Sequence, residues 1–184
     1  MTEESIKSIG IWIAAIGLLL NYFRLRANNS WKRKHFATNM IAEWNDRTAE
    51  HRKQIETLEP GLIDLNDKAE VKEISQQTAK DIYETQDQNS KEWKLRFHFL
   101  EMMNYFEYVS SAYWNRIADK KIIEKSFMNI MLKYDKILTN FIDEYKKHRG
   151  YENPWGPYHD VINKWKSSGS KMAKNVDDFR NLFK

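Results

Sequence analysis

Residues 8–23, SIGIWIAAIGLLLNYF, carry no charge, and no other feature limits so strongly what this chain can fold into. The 20 residues 6–25 form one apolar span, interrupted only by Lys7, Asn21 and Arg24. At about 1.5 Å per residue, a helix of that length reaches about 30 Å, the thickness of the hydrocarbon core of a bilayer. A cleaved signal would open on bases and close on small residues, but this segment opens on Glu3 and Glu4 and closes on Arg24 and Arg26. An interfacial helix would need a charged face, which the middle of the run lacks. The run is read as a transmembrane anchor over residues 1–26.

The bases that follow give the anchor a direction. Arg24, Arg26, Lys32, Arg33 and Lys34 stand with no acid among them, whereas residues 35–90 carry 6 bases and 12 acids. The formal net charge of +4 is thus concentrated in a collar. The positive-inside tendency then puts the collar on the cytoplasmic side of an inner (cytoplasmic) membrane, with the N-terminus outside. The mixture SWKRKHF at residues 30–36 suits anionic lipid heads in this position, and it is also the mixture that grips an oligonucleotide.

The anchor has two unlike sides. At 100° per residue Gly10, Ala14, Gly17 and Asn21 share one sector, and Trp12, Ile16, Leu19 and Phe23 lie opposite. Small residues let membrane helices approach closely, and an intramembrane Asn seeks a partner. The expectation is a homo-oligomer joined through that face, with a narrow polar pore as a further possibility.

The rest reads as all-α, so the expected fold is one N-terminal transmembrane helix followed by a cytoplasmic helical bundle. The chain has only 6 Gly and 3 Pro, and no run alternates long enough for a sheet. Residues 27–166 should form the bundle. Residues 167–184 should form a flexible joint (SSGS) and a final amphipathic helix. Inside the bundle, Phe36, Met40, Ile41 and Trp44 make a short stripe, and Thr48 opens a second helix that stops before Pro60 and Gly61. A weakly amphipathic helix covers residues 71–84. Residues 91–117 bury Phe99, Met103, Phe106, Val109 and Tyr113 as the central helix. Asp119 caps a long helix with the stripe Ile123, Phe127, Ile130, Tyr134, Ile137, Phe141 and Tyr145, ended by Gly150. A shorter helix covers residues 155–166.

Chemistry-bearing patterns are sparse. Without cysteine the chain has no disulfide, thiolate metal site or cysteine nucleophile. Five histidines stand at no metal-ligand spacing, although His148 and His159 are placed to meet across a turn. No Gly-rich phosphate loop or nucleophile elbow occurs. Glu101, Asn104 and Glu107 share one side of the central helix, with Asn104 and Glu107 as a buried polar motif that bonds neighbouring helices. Lys146, Lys147 and Arg149 form a second basic patch near Tyr145 and Tyr151. The expectation is no enzyme, no metal and no cofactor.

Two stretches carry a resemblance, HFATNMIAEWND (residues 35–46) and MNYFEYVSSAYWNRIADKKIIEKSF (residues 103–127). The chain resembles a bacterial and phage-associated family of single-pass membrane proteins with a helical cytoplasmic domain of unknown function. Asn104, Glu107 and Asp119 fall on its pattern of an Asn, two aromatics and a Glu followed by an acidic turn. The architecture is also similar to membrane effectors of anti-phage defence, in which a cytoplasmic domain senses a nucleotide or oligonucleotide and the membrane helices permeabilise the envelope. That resemblance implies an oligomeric effector. The alternative is a membrane-tethered adaptor that docks a soluble protein partner.

Overall fold

The computed structural model describes the backbone of residues 3–62, 72–150 and 152–181, and the side chains of residues 16–62, 72–150 and 152–168. Among these residues are five helices and no strand: α1 (Glu3–Leu58), α2 (Gln76–Glu84), α3 (Lys91–Trp114), α4 (Lys120–Arg149) and α5 (Gly156–Asn181).

The 56 residues of α1 form one rod about 84 Å long. The expected break between Trp44 and Thr48 is absent. Ala37, Met40, Trp44, Thr48 and Ile55 are all buried, and their helical spacing extends the apolar stripe across the supposed boundary. Thr48 does not cap a new helix. Its hydroxyl donates to the Trp44 carbonyl and so bonds back into the same helix. The rod ends at Pro60 and Gly61, and Gly61 takes a left-handed φ of 77°. Just before that turn, the Glu59 carboxylate accepts from Lys91 Nζ at 2.6 Å and Lys72 Nζ at 3.4 Å. The bond from Lys91 is the main reason its carboxyl lies below the usual range.

The centre of the bundle is α3, which packs against all four other helices. Phe99, Met102, Met103, Phe106, Val109 and Tyr113 are fully or almost fully buried there. Ser90 caps its start by accepting from Trp93 N at 3.1 Å. It ends three residues earlier than expected, because Arg116 turns left-handed at φ 58° after the Asn115 cap. Asp119 then opens α4, its carboxylate accepting from the backbone of Lys121 and Ile122 at 3.1 and 3.2 Å. The same residue's N–H donates to the Arg33 carbonyl at 3.1 Å, which pins the α3–α4 turn to α1. Gly150 closes α4 in the left-handed conformation, φ 66°.

α2 begins at Gln76, later than expected. The chain ahead of it is held extended on α4, with Ile74 N donating to the Ile137 carbonyl at 3.2 Å and Asn140 Nδ2 to the Ile74 carbonyl at 2.7 Å. α5 runs without interruption through residues 167–170, where a joint was expected. Ser167 and Ser168 donate to the Lys164 carbonyl at 2.8 and 2.9 Å, so their hydroxyls bond within the helix instead of breaking it.

Candidate functional site

Above the level at which the α3–α4 turn meets Arg33, α1 leaves the bundle. Ile16, Leu18, Leu19, Leu20, Tyr22, Phe23 and Leu25 are all exposed there, Leu18 by 72%. At 100° per residue they cover about 220° of the circumference, and the remaining sector holds Gly17, Asn21 and Arg24. Arg24, Arg26, Lys32, Arg33 and Lys34 follow, all exposed, and none makes an ion pair among the described residues. The α3–α4 turn at the same level exposes Trp114 and Ile117, and α1 itself exposes Trp31.

Among the described residues no helix is long and apolar enough to cross a membrane. The side chains of residues 1–15, and with them Gly10 and Ala14, lie outside the described residues. What is described of the expected anchor, residues 16–25, amounts to about 15 Å of helix, half a hydrocarbon core. Gly17 and Asn21 are described, Gly17 partly exposed and Asn21 exposed. A Cβ on Gly17 would meet nothing within 4 Å, so no described residue of its own chain requires glycine there.

At another part of the bundle, α2, α3 and α4 enclose an open cavity of about 220 Å³, lined by Tyr83, Trp93, Arg96, Phe97, Leu100, Tyr145 and Arg149. Trp93 and Phe97 stand one turn apart on α3, their rings within 4° of parallel and their centroids 6.4 Å apart. Arg96 lies between them in sequence and donates through Nη1 to the Tyr83 carbonyl at 3.3 Å, holding the end of α2. Tyr83 stacks on His148 at 17° and packs against Phe141. Its hydroxyl is buried with no hydrogen-bond partner, and burial pushes that hydroxyl's pKa well above the ordinary range.

The expected second basic patch divides at this point. Lys146 pairs with Asp143 at 3.9 Å and Lys147 with Glu144 at 2.5 Å, i,i+3 pairs along the helix surface. Only Arg149 lines the cavity, exposed and without an ion pair among the described residues. Trp93, Arg96 and Phe97 complete the site. Their signal was two aromatics at i,i+4 around an arginine.

Asn104 and Glu107 serve another end of the molecule. Asn104 is exposed, contrary to the expected burial, and accepts from Trp155 Nε1 at 3.5 Å. Glu107 is half-buried and accepts from Tyr158 N at 3.0 Å, satisfying a free donor at the start of α5. Burial raises its carboxyl pKa. Together they hold the turn in which Trp155 adopts a left-handed φ of 59°, a conformation an aromatic residue rarely takes.

The histidines pair differently from expectation. His51 of α1 and His98 of α3 meet Nδ1 to Nδ1 at 2.9 Å, one donating and the other accepting. His148 stacks on Tyr83 and His159 packs on Tyr158 instead. No cluster of three metal-ligating side chains occurs among the described residues.

Among the described residues the fold is all-α, five helices with a long first one projecting beyond the bundle. The chain belongs to the family described as Domain of unknown function (DUF4760), which matches residues 11–165. No curated protein matches the chain, and no solved structure matches it.

Proposed function

We propose that this chain is a membrane-anchored helical effector in which α1 is both the anchor and a strut of the core. The reading rests on one observation: Ile16, Leu18, Leu19, Leu20, Tyr22, Phe23 and Leu25 are exposed over more than half the circumference of a helix that continues unbroken into the bundle. So wide an apolar face on a helix that has left its own bundle needs an apolar phase, as a bilayer supplies, with the remaining sector free to meet another copy. The apolar span of residues 6–25 has the matching length. Arg33 lies about 12 Å along the axis beyond Leu25, so the collar, Trp31, Trp114 and Ile117 fall at the headgroup level. Aromatic and basic side chains are favoured there.

In this reading the bundle is cytoplasmic. The face of Gly10, Ala14, Gly17 and Asn21 joins copies of the helix, and binding at the bundle is transmitted along α1 because one rod serves both regions. Carbonate-washed bacterial membranes test the anchor. The full chain should remain in the pellet, and Leu19→Arg with Leu20→Arg should release it, each arginine costing about 2.5–3.5 kcal/mol in a bilayer. Release of the unsubstituted chain would end the proposal. Gly17→Leu and Asn21→Leu should reduce cross-linked oligomers without releasing the chain.

A further inference from the structure

We infer that the cavity between α2, α3 and α4 is a binding site for a nucleoside phosphate. This deepens the effector reading, and rests on it for the consequence of binding but not for binding itself.

Three features converge. Trp93 and Phe97 present nearly parallel rings with centroids 6.4 Å apart, and both line the cavity. The exposed Phe97 offers a face on which a planar ring can stack at about 3.5 Å. Aromatic faces of this kind hold any base, because every base has a π-face. Charge is the second feature. Arg96 and Arg149 line the same cavity, with N–H groups left over after Arg96 has bonded the Tyr83 carbonyl, and guanidinium groups match phosphate oxygens in pairs. The third is Tyr83, a residue of the cavity lining whose hydroxyl has no partner in the protein. A buried polar group without a partner costs stability unless a ligand or water satisfies it.

Size narrows the ligand. Sites that enclose a drug-sized molecule begin at about 300 Å³, and this cavity is about 220 Å³ and open. It accommodates one base, with the sugar and phosphate at the mouth beside the exposed Arg149. A free mononucleotide and the end of a single strand share that chemistry.

Calorimetric titration of the full chain in detergent tests the site with AMP, GMP, UMP, adenosine, ribose 5-phosphate and a 5′-phosphorylated ten-residue single strand. At least one nucleotide or the strand should bind, and adenosine and ribose 5-phosphate should each bind at least about tenfold more weakly. Trp93→Ala and Arg149→Gln should each weaken binding by at least about tenfold while leaving the far-UV spectrum and thermal midpoint unchanged. Both side chains stand at the surface of the cavity, so the fold does not depend on them. A strand that binds more tightly than every mononucleotide and loses affinity in Trp93→Ala identifies a strand end as the source. The converse identifies a free nucleotide. Absence of binding by all three nucleotides and the strand overturns the inference, as does binding that survives both substitutions. Partitioning into membranes is a separate readout, so either proposal can fail without the other.

Discussion

Trp44→Ala probes the attachment of α1 to the bundle. Trp44 is buried among Tyr105, Phe106 and Phe127, with ring centroids at 5.5, 5.7 and 5.9 Å, and the Arg52 guanidinium lies 4.9 Å from its ring. Removing such a side chain costs about 3–5 kcal/mol, a large share of the roughly 5–15 kcal/mol that stabilises a domain. At about 2–4 °C per kcal/mol for a domain of this size, the thermal midpoint should fall by about 6–20 °C. The assay is a far-UV circular dichroism melt of the full chain in detergent, with Trp31→Ala as the comparison. Trp31 is 62% exposed and stacks only on His35, so its loss should change stability by no more than about 0.5 kcal/mol. Equal shifts in the two variants, or a shift under about 2 °C for Trp44→Ala, would refute the placement of α1 in the core.

Two further outcomes follow from the polar contacts. Burial, and then the neighbouring His51, hold the His98 imidazole below its ordinary value despite Glu50 and Glu101 nearby. The unfolded chain therefore takes up this proton at a higher pH than the folded one. The stabilising effect is complete above about pH 6.5 and declines as the pH falls below it. His98→Leu should flatten the loss of thermal stability between about pH 7 and pH 5, leaving a residual slope from His159, whose pKa is depressed in the same direction. Unchanged slopes would rule out this origin. Glu107→Leu leaves the Tyr158 N–H without its acceptor and should cost about 1–3 kcal/mol in urea denaturation. Glu107→Gln keeps an acceptor there and should cost clearly less. Equal losses would show that the charge, not the hydrogen bond, matters.

Much of the fold was legible because local chemistry and tertiary structure agree. Asp119 and Gly150 bracket α4 as their residue types suggest, and Phe99, Met103, Phe106, Val109 and Tyr113 bury as one helical face. Two of the misplaced breaks came from serine and threonine. Thr48, Ser167 and Ser168 look like caps or joints, yet each bonds its hydroxyl back into its own helix. Whether such a residue starts a helix or sits inside one is decided by packing, which local sequence does not encode. The cavity was legible only in part. Arg149 was singled out for its charge, but Tyr83, Trp93, Arg96 and Phe97 converge only once α2 and α3 pack together. The meeting of His51 with His98 joins positions 47 residues apart and leaves no mark at short spacing.

The continuity of α1 from the apolar segment into the bundle is the central claim, and the absence of cysteine makes it directly measurable. Spin labels on Ala27→Cys and Lys53→Cys in the full chain, reconstituted in lipid nanodiscs, would report the distance across the point where the rod enters the bundle. Both positions are exposed, and a straight helix between them spans about 39 Å. A single narrow distribution near that length is the expected result. A broad or much shorter distribution would place a hinge below the collar and contradict the continuous rod.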